Sequence, residues 1–97
     1  MRFIAIEKDI EGREEKDFLP FLKDEAKHVW ALHQQNIIRE IYFRDDKNNA
    51  VLILECENIA AAKSVIDTLP LVKNKLIEFD IIPLKPYPGF ERLFETQ

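Results

Sequence analysis

Hydrophobic positions recur at helical spacing over residues 18–35 and predict one amphipathic helix of about five turns. One half of this helix is apolar, with Phe18, Leu19, Phe21, Leu22, Ala26, Val29, Trp30 and Leu32 as its members. Asp17 is placed to cap its N-terminus, and Pro20 is tolerated because first-turn amides have no intrahelical partner. Two polar side chains, Glu25 and His33, project from within the apolar half. We therefore expect any function beyond folding to involve this face.

A period of two predicts four β-strands, over residues 2–8, 37–44, 50–57 and 75–84. The first strand is apolar on both of its faces, so both faces are expected to be covered. The polar sequence DDKNN separates the second strand from the third. These two strands are therefore predicted to form a hairpin.

A second helix is predicted between the third and fourth strands. Asn58 is its expected N-cap, Pro70 is expected to end it, and apolar residues recur at helical spacing between them. Asn36, a residue type that tolerates the left-handed conformation, is expected to end the first helix. The element order is then βαββαβ. This order indicates an α+β, ferredoxin-like fold: a four-stranded antiparallel sheet with two helices on one face.

One face of that sheet has no helix to cover it. In the last strand, parity turns Ile77, Phe79 and Ile81 toward the helices and Leu76, Glu78, Asp80 and Ile82 outward. In the second strand, it separates Arg39, Ile41 and Phe43 from Ile38, Glu40, Tyr42 and Arg44. A face that mixes Ile, Phe, Glu and Asp suits the inside of a barrel closed by two such sheets. The pattern thus favours a homodimer or a larger homo-oligomer.

The chain divides into a ferredoxin-like barrel domain over residues 1–84 and a C-terminal tail over residues 85–97. Proline and glycine make the tail irregular, yet it carries large apolar side chains: Tyr87, Phe90, Leu93 and Phe94. Free termini usually fray. We therefore expect these side chains to dock on a partner subunit.

Composition narrows the class of protein. The 97 residues are 46% hydrophobic, which is enough for one domain with a modest core. The net charge is −4 without a basic run, which argues against a nucleic-acid partner. No apolar run approaches the roughly 20 residues of a membrane span, and the N-terminal apolar run is too short for a signal peptide. The single cysteine, Cys56, cannot form an internal disulfide, which fits a reducing cytoplasm.

The C-terminal part of the chain carries Leu69-Pro70-Leu71, then the strand EFDIIPL, then Pro88. This run resembles the C-terminal signature of the muconolactone delta-isomerases, and the similarity extends without a gap over about residues 15–88. The resemblance implies a dimeric α+β barrel. Its ferredoxin-like subunits would pack sheet to sheet, their tails would reach a neighbour, and the dimers would assemble into rings.

The resemblance also bears on individual residues. Glu25 matches a family glutamate on the first helix, and Glu55 stands where the family has an aspartate. The family usually carries a Trp-Arg pair in the second strand, where this chain has Tyr42 and Phe43. The replacement removes a cation that would bind a carboxylate. The motif is therefore more specific for the fold than for the reaction.

Glu25 and His33 are the candidate catalytic residues. A carboxyl group among Phe and Leu side chains has a raised pKa and can act as a general base, whereas a glutamate at a helix edge pairs with a neighbouring Lys or Arg. An imidazole can carry the proton onward, or it can be a core side chain bonded to a backbone carbonyl. The pattern leaves both alternatives open for each residue.

The candidate substrate-binding residues are Arg39, Tyr42, Trp30, Glu78 and Asp80. Arg39 neutralises an anionic ligand if it faces the barrel, and otherwise pairs with a glutamate across the hairpin. Tyr42 offers a hydroxyl at a pocket wall, although strand aromatics mostly pack, and Trp30 fits a core or an interface. Glu78 and Asp80 share a strand face and repel each other; a metal there would need a third ligand, and none is expected.

Two classes of function remain open. The first is a cofactor-free isomerase or lyase that moves a proton on a small unsaturated acid or lactone. The second is a non-catalytic ligand-binding or assembly module, because a fold does not fix its function. The two differ in whether Glu25 and Arg39 converge on a pocket of the size of a small acid, and the enzyme interpretation fails if both side chains point to solvent.

Overall fold

Four antiparallel strands form the sheet of this protein in a computed structural model that describes residues 1–95. The strands are β1 (Arg2–Asp9), β2 (Ile38–Phe43), β3 (Ala50–Glu55) and β4 (Ile77–Leu84). Their spatial order is β2-β3-β1-β4, and the helices pack on one face. This arrangement confirms the predicted α+β, ferredoxin-like fold. Pro83 lies near the end of the edge strand β4, where a missing amide donor costs least.

The first helical segment is broken rather than continuous, so the single helix predicted over residues 18–35 is wrong in this respect. A 3-10 turn at Leu19–Phe21 separates α1 (Glu15–Phe18) from α2 (Leu22–Gln34). Pro20 lies in that turn. Because proline has no N–H and its ring crowds the preceding turn, the α-helical hydrogen bonds do not run through it.

The N-terminus of this segment begins earlier than the sequence indicated. The N-cap residue is Glu14, and Asp17 occupies the third helical position, so the prediction of Asp17 as N-cap is wrong. The Asp17 carboxylate instead accepts a hydrogen bond from the Glu14 amide at 2.9 Å. The two residues form a capping box, which satisfies amides that have no intrahelical partner.

The second helical segment begins as predicted. It comprises α3 (Ile59–Asp67), and the Asn58 Oδ1 accepts a hydrogen bond from the Ala61 amide at 2.8 Å. Pro70 does not simply end this segment, because it opens a further short helix, α4 (Pro70–Lys73). Asn36 adopts a φ of 64°, which confirms the predicted left-handed end of the first segment.

The core lies between the sheet and the helices α2 and α3. Its buried members are Phe3, Ala5, Leu32, Ile38, Leu52, Leu54, Ala62, Ile66 and Leu69. A smaller cluster of Leu71, Leu76 and Ile77 adjoins it. Leu76 was expected to point outward, and this is wrong: it precedes β4, after Lys75 in a left-handed conformation, and is 7% exposed. Among residues 1–95, no helix is long and apolar enough to cross a membrane.

A bulge in β2 changes which side chains share a face. Ile38 pairs with Leu54 and Ile41 pairs with Leu52, although Ile38 and Ile41 are three residues apart. Both partners in β3 are buried against the helices. Strict alternation would place Ile38 and Ile41 on opposite faces, so that prediction is wrong. The extra residue of the bulge shifts the parity.

The uncovered face of the sheet has an apolar centre and charged ends. Ile4 of β1 is paired with Ile53 of β3 and Ile82 of β4. At one end, the Arg2 Nε lies 2.9 Å from the Glu55 Oε1. At the other end, the side chains of Lys8 and Asp80 form an ion pair. A mixed surface of this kind agrees with the composition predicted for it.

The described part of the tail, residues 85–95, extends from the rest of the subunit. Its 3-10 helix spans Gly89–Phe94, and Leu93 and Phe94 are 75% and 81% exposed. The Tyr87 and Phe90 rings meet edge to face, with centroids 5.0 Å apart. The radius of gyration is 16.3 Å, against about 13 Å for a compact domain of 100 residues. Residues 96–97 of the predicted docking tail lie outside the described residues.

Candidate active site

An apolar cavity of about 400 Å³ lies between α2 and the sheet. Its lining residues are Glu7, Leu22, Glu25, Ala26, Val29, Trp30, Ile41, Phe43, Ala50, Leu52, Leu69, Leu71, Ile77 and Phe79. Apart from the two glutamates, every lining side chain is hydrophobic. The size falls within the range of small-molecule sites, which is about 300–1,000 Å³. The cavity is therefore the candidate site.

Glu25 enters the cavity from α2, within the apolar half of that helix. Its side chain is half-buried, and its Oε1 accepts a hydrogen bond from the Leu71 amide at 2.9 Å. Burial raises the pKa of the Glu25 carboxyl, and the Leu71 hydrogen bond offsets part of this shift. The group is thus fixed in position and is a stronger base than a solvated glutamate.

Glu7 enters the same cavity from β1 and was not identified from the sequence. Its Oε1 accepts a hydrogen bond from the Ala50 amide at 3.0 Å. Burial raises the pKa of Glu7, and the nearby charges of Asp9 and Glu25 raise it further; the Ala50 amide and Lys47 act in the opposite direction. Two carboxyl groups, one from the sheet and one from a helix, therefore share one apolar cavity.

The signal that would have found Glu7 is strand parity. Phe3 and Ala5 are fully buried on the helix-facing side of β1, and Glu7 is the next residue with the same parity. Its backbone carbonyl also accepts a hydrogen bond from the side chain of Asn49, which is 6% exposed. The start of β3 therefore fixes both the backbone and the carboxyl group of Glu7.

Exposed apolar side chains mark the mouth of the cavity. Trp30 on α2 is 60% exposed, and Phe43 on the edge strand β2 is 71% exposed. Leu22 and Ile41 also line the cavity while remaining partly open to solvent. A ligand would therefore enter between α2 and β2. Of the predicted site residues, the structure brings Glu25 and Trp30 together at this cavity.

His33 is not among the residues that line the cavity. Its Nδ1–H donates a hydrogen bond to the Ile38 carbonyl at 2.8 Å, and the ring is half-buried beside Trp30, with centroids 6.1 Å apart. This contact is the one expected of a core histidine that joins α2 to β2. The imidazole therefore has a structural partner, and it does not meet Glu25 at the cavity.

The remaining predicted binding residues lie elsewhere. Arg39 is exposed at the bulge of β2 and does not line the cavity, so it does not converge there with Glu25. The Tyr42 hydroxyl donates a hydrogen bond to the Glu40 Oε1 at 2.7 Å on the uncovered sheet face. Glu78 and Asp80 are also on that face, where Asp80 pairs with Lys8 at 3.2 Å. The cavity and the side chains of Tyr42, Glu78 and Asp80 are thus on opposite faces of the sheet.

Together, the fold and the cavity define a ferredoxin-like subunit with two carboxyl groups in an apolar site. No protein-family model matches the chain, and no curated protein matches it in sequence. Solved structures with the same fold include muconolactone isomerase, which aligns with a TM-score of 0.72 and 14% identity over 92% of this chain and 93% of its own.

A second solved structure is a 5-chloro-2-hydroxyhydroquinone dehydrochlorinase from Burkholderia phenoliruptrix AC1100, in complex with 2,5-dihydroxybenzoquinone. It aligns with a TM-score of 0.62 and 21% identity, over 92% of this chain and 98% of its own. At these identities the likeness shows the fold. The resemblance read from the sequence is therefore confirmed at the level of the fold.

Proposed function

We propose that this protein is a cofactor-free isomerase or lyase that moves a proton on a small unsaturated acid or lactone. The observation that carries the proposal is Glu25, a half-buried carboxyl group with a raised pKa in an apolar cavity of about 400 Å³. A carboxylate removes a proton from carbon more effectively when its pKa is higher than that of a solvated glutamate. Burial supplies that shift.

The geometry around Glu25 supports the role of general base. One carboxylate oxygen is held by the Leu71 amide, so the other oxygen can take a proton from a ligand in the cavity. Hydrophobic side chains surround the carboxyl group, but Glu25 is only half-buried, so the proton that it removes can exchange with solvent before a proton returns to another carbon of the substrate. In this role Glu25 first accepts a proton from carbon and then donates a proton back to carbon.

We also propose that the protein is cytoplasmic and forms a homo-oligomer. Its barrel domain would span residues 1–84, and residues 85–97 would form a tail that docks on a partner subunit. The uncovered sheet face, with its isoleucine centre and ion pairs at both ends, is suited to a second copy of itself. The apolar side chains of Leu93 and Phe94 are exposed, as is typical of a surface that binds a partner, and this supports docking of the tail.

The test is solvent deuterium exchange. Small unsaturated lactones and acids are incubated with the protein in D₂O, and deuterium incorporation is followed by proton NMR. We expect Glu25→Gln to slow exchange by about 10²–10⁴-fold, the usual contribution of a general base. Glu57→Gln, which changes an exposed carboxyl outside the cavity, serves as the matched control. Equal exchange in both variants would refute the role of Glu25; binding without exchange would favour a non-catalytic binding module.

A further inference from the structure

The cavity has an unusual charge pattern for a protein that would bind an organic acid. Of its lining residues, the two that can carry a charge are Glu7 and Glu25, and both would be negative. None of the described residues that line it is Lys, Arg or His. A ligand carboxylate would therefore lie near the negative charge of Glu25, without a cation, among hydrophobic side chains.

We propose that the cavity selects uncharged unsaturated lactones and enones, and that Glu7 is a second catalytic residue that donates a proton to the substrate carbonyl oxygen. This inference rests on the proposed function and narrows its substrate class from acids and lactones to the uncharged members. An uncharged carbonyl compound needs a hydrogen-bond donor at oxygen and a base at carbon. The two glutamates supply one of each.

The positions of the two carboxyl groups support this division of roles. Glu7 reaches the cavity from the sheet and Glu25 reaches it from α2, so the two carboxyl groups line one cavity from different elements. In each group, Oε1 is held by a backbone amide, from Ala50 and from Leu71 respectively. The second oxygen of each has no hydrogen-bond partner among the described residues and is left for a ligand.

The surrounding charges indicate which glutamate stays protonated. Asp9 on the same strand and Glu25 across the cavity both raise the pKa of Glu7, in addition to burial, while Lys47 and the Ala50 amide lower it. The pKa of Glu25 is raised by burial and lowered by the Leu71 amide. The repulsion between the two glutamates is mutual, so the additional charge of Asp9 is what makes Glu7 the one that favours its neutral form. A neutral carboxylic acid in an apolar site can donate to a carbonyl oxygen.

In the proposed reaction, two protons move and both glutamates return to their starting forms. The Glu25 carboxylate takes the proton from an acidic carbon conjugated with the substrate carbonyl, the electrons of that C–H bond shift toward the carbonyl, and the Glu7 O–H proton moves to the carbonyl oxygen. The intermediate is an enol. Glu25 then returns its proton to a different carbon, and the enol O–H proton goes back to Glu7. The double bond has moved, and both glutamates are in their starting forms.

Two lactones test the charge preference. In muconolactone a carboxymethyl group stands where 4-methylbut-2-en-4-olide has a methyl group, and the ring is otherwise the same. Trp30 is the single tryptophan of the chain and lines the cavity, so its fluorescence reports binding. Deuterium exchange reports the chemistry. We expect the methyl lactone to bind at least about tenfold more tightly than muconolactone and to exchange deuterium at least about tenfold faster. The reason is that like charges brought together in an apolar site repel each other.

A substitution and a pH profile test Glu7. We expect Glu7→Gln to lower the exchange rate of the methyl lactone about 10²-fold, the usual effect of removing one donor at the reacting oxygen. The wild-type rate should fall as the pH rises through the raised pKa of Glu7 and this carboxyl ionises, and the decrease should be absent from Glu7→Gln, since an amide does not titrate. A merely structural role would not change the profile. Should Glu7→Gln fail to fold, carbon-13 NMR titration of the glutamate carboxyls in the wild-type protein measures the protonation of Glu7 directly.

The outcomes separate this inference from the proposed function. A preference for muconolactone, with exchange that still requires Glu25, overturns the inference and leaves the proposed function in place. If that preference disappears in a chain truncated after Pro88, the missing cation comes from the tail, and the inference is again overturned. Exchange of neither lactone refutes the proposed function, and the Trp30 titration then decides the charge preference alone. If Glu7→Gln keeps the wild-type decrease of the rate with rising pH, the role of Glu7 is refuted.

Discussion

At the scale of single residues, the main cost of the site is the burial of charge. The Glu25 carboxyl has a raised pKa in the folded protein because the cavity desolvates it. At a pH between the unfolded and folded pKa values, the folded state binds more protons than the unfolded state. The free energy of unfolding therefore falls as the pH rises through this window. Ionised Glu25 serves the proposed chemistry at the expense of stability.

Glu25→Gln should therefore stabilise the protein at neutral pH. The glutamine carbonyl can still accept the Leu71 hydrogen bond, but it never carries the charge. We expect a small gain in the free energy of unfolding at pH 7 to 8, because the side chain is only half-buried, and no gain near pH 4, where the wild-type carboxyl is also neutral. Urea unfolding across this pH range measures the difference. A loss of stability at pH 7 would mean that a further contact in the folded protein stabilises the ionised carboxylate.

At the scale of secondary-structure elements, caps contribute most where the helix is short. Helix α3 is nine residues long, and the Asn58 side chain binds one of its first amides at 2.8 Å. We expect Asn58→Ala to lower the free energy of unfolding by about 1 kcal/mol. Asn48→Ala, in the exposed turn between β2 and β3, is the matched control and should change stability much less. Equal losses in the two variants would show that the cap is not the cause.

The elements also show what the sequence can and cannot predict. Periodicity predicts the four strands, and the cap residue predicts α3, because both are local signals. Pro20 is tolerable in the first turn of a helix, yet here it breaks the helix because the segment begins earlier, at Glu15. The bulge in β2 has no composition signal, so Ile38 and Ile41 were placed on opposite faces.

The residues of the candidate site also show that local signals can be predicted from the sequence and nonlocal contacts cannot. Glu25 stood out because a polar residue interrupts an apolar helix face, which is visible in the sequence alone. Glu7 was missed because it ends an apolar run in β1, where a charged residue reads as the transition to a loop. Its partners, the Ala50 amide and the Glu25 charge, are 43 and 18 residues away in the chain. Nonlocal packing of this kind decides which strand residue enters a cavity.

At the scale of the whole molecule, the extended tail requires an explanation. Leu93 and Phe94 are 75% and 81% exposed, and the Phe90 ring is two-thirds exposed. Burying a side chain of this type contributes about 1.5–3 kcal/mol. A single subunit leaves that contribution unused, whereas a pair with two-fold symmetry would gain it twice. A second copy of the chain, bound through the sheet face and the tails, is the arrangement that uses both surfaces.

The assembly is tested by light scattering on two chains, the full-length protein and one that ends at Pro88. We expect the full-length protein to be a dimer or larger and the truncated chain to dissociate, because three apolar side chains per tail are lost and each 1.4 kcal/mol changes the dissociation constant about tenfold. The full-length variant Leu93→Ser with Phe94→Ser separates apolar contact from tail length: it should also dissociate. A full-length protein that is monomeric would mean that the sheet face is open to solvent and that the likeness to muconolactone isomerase ends at the subunit fold.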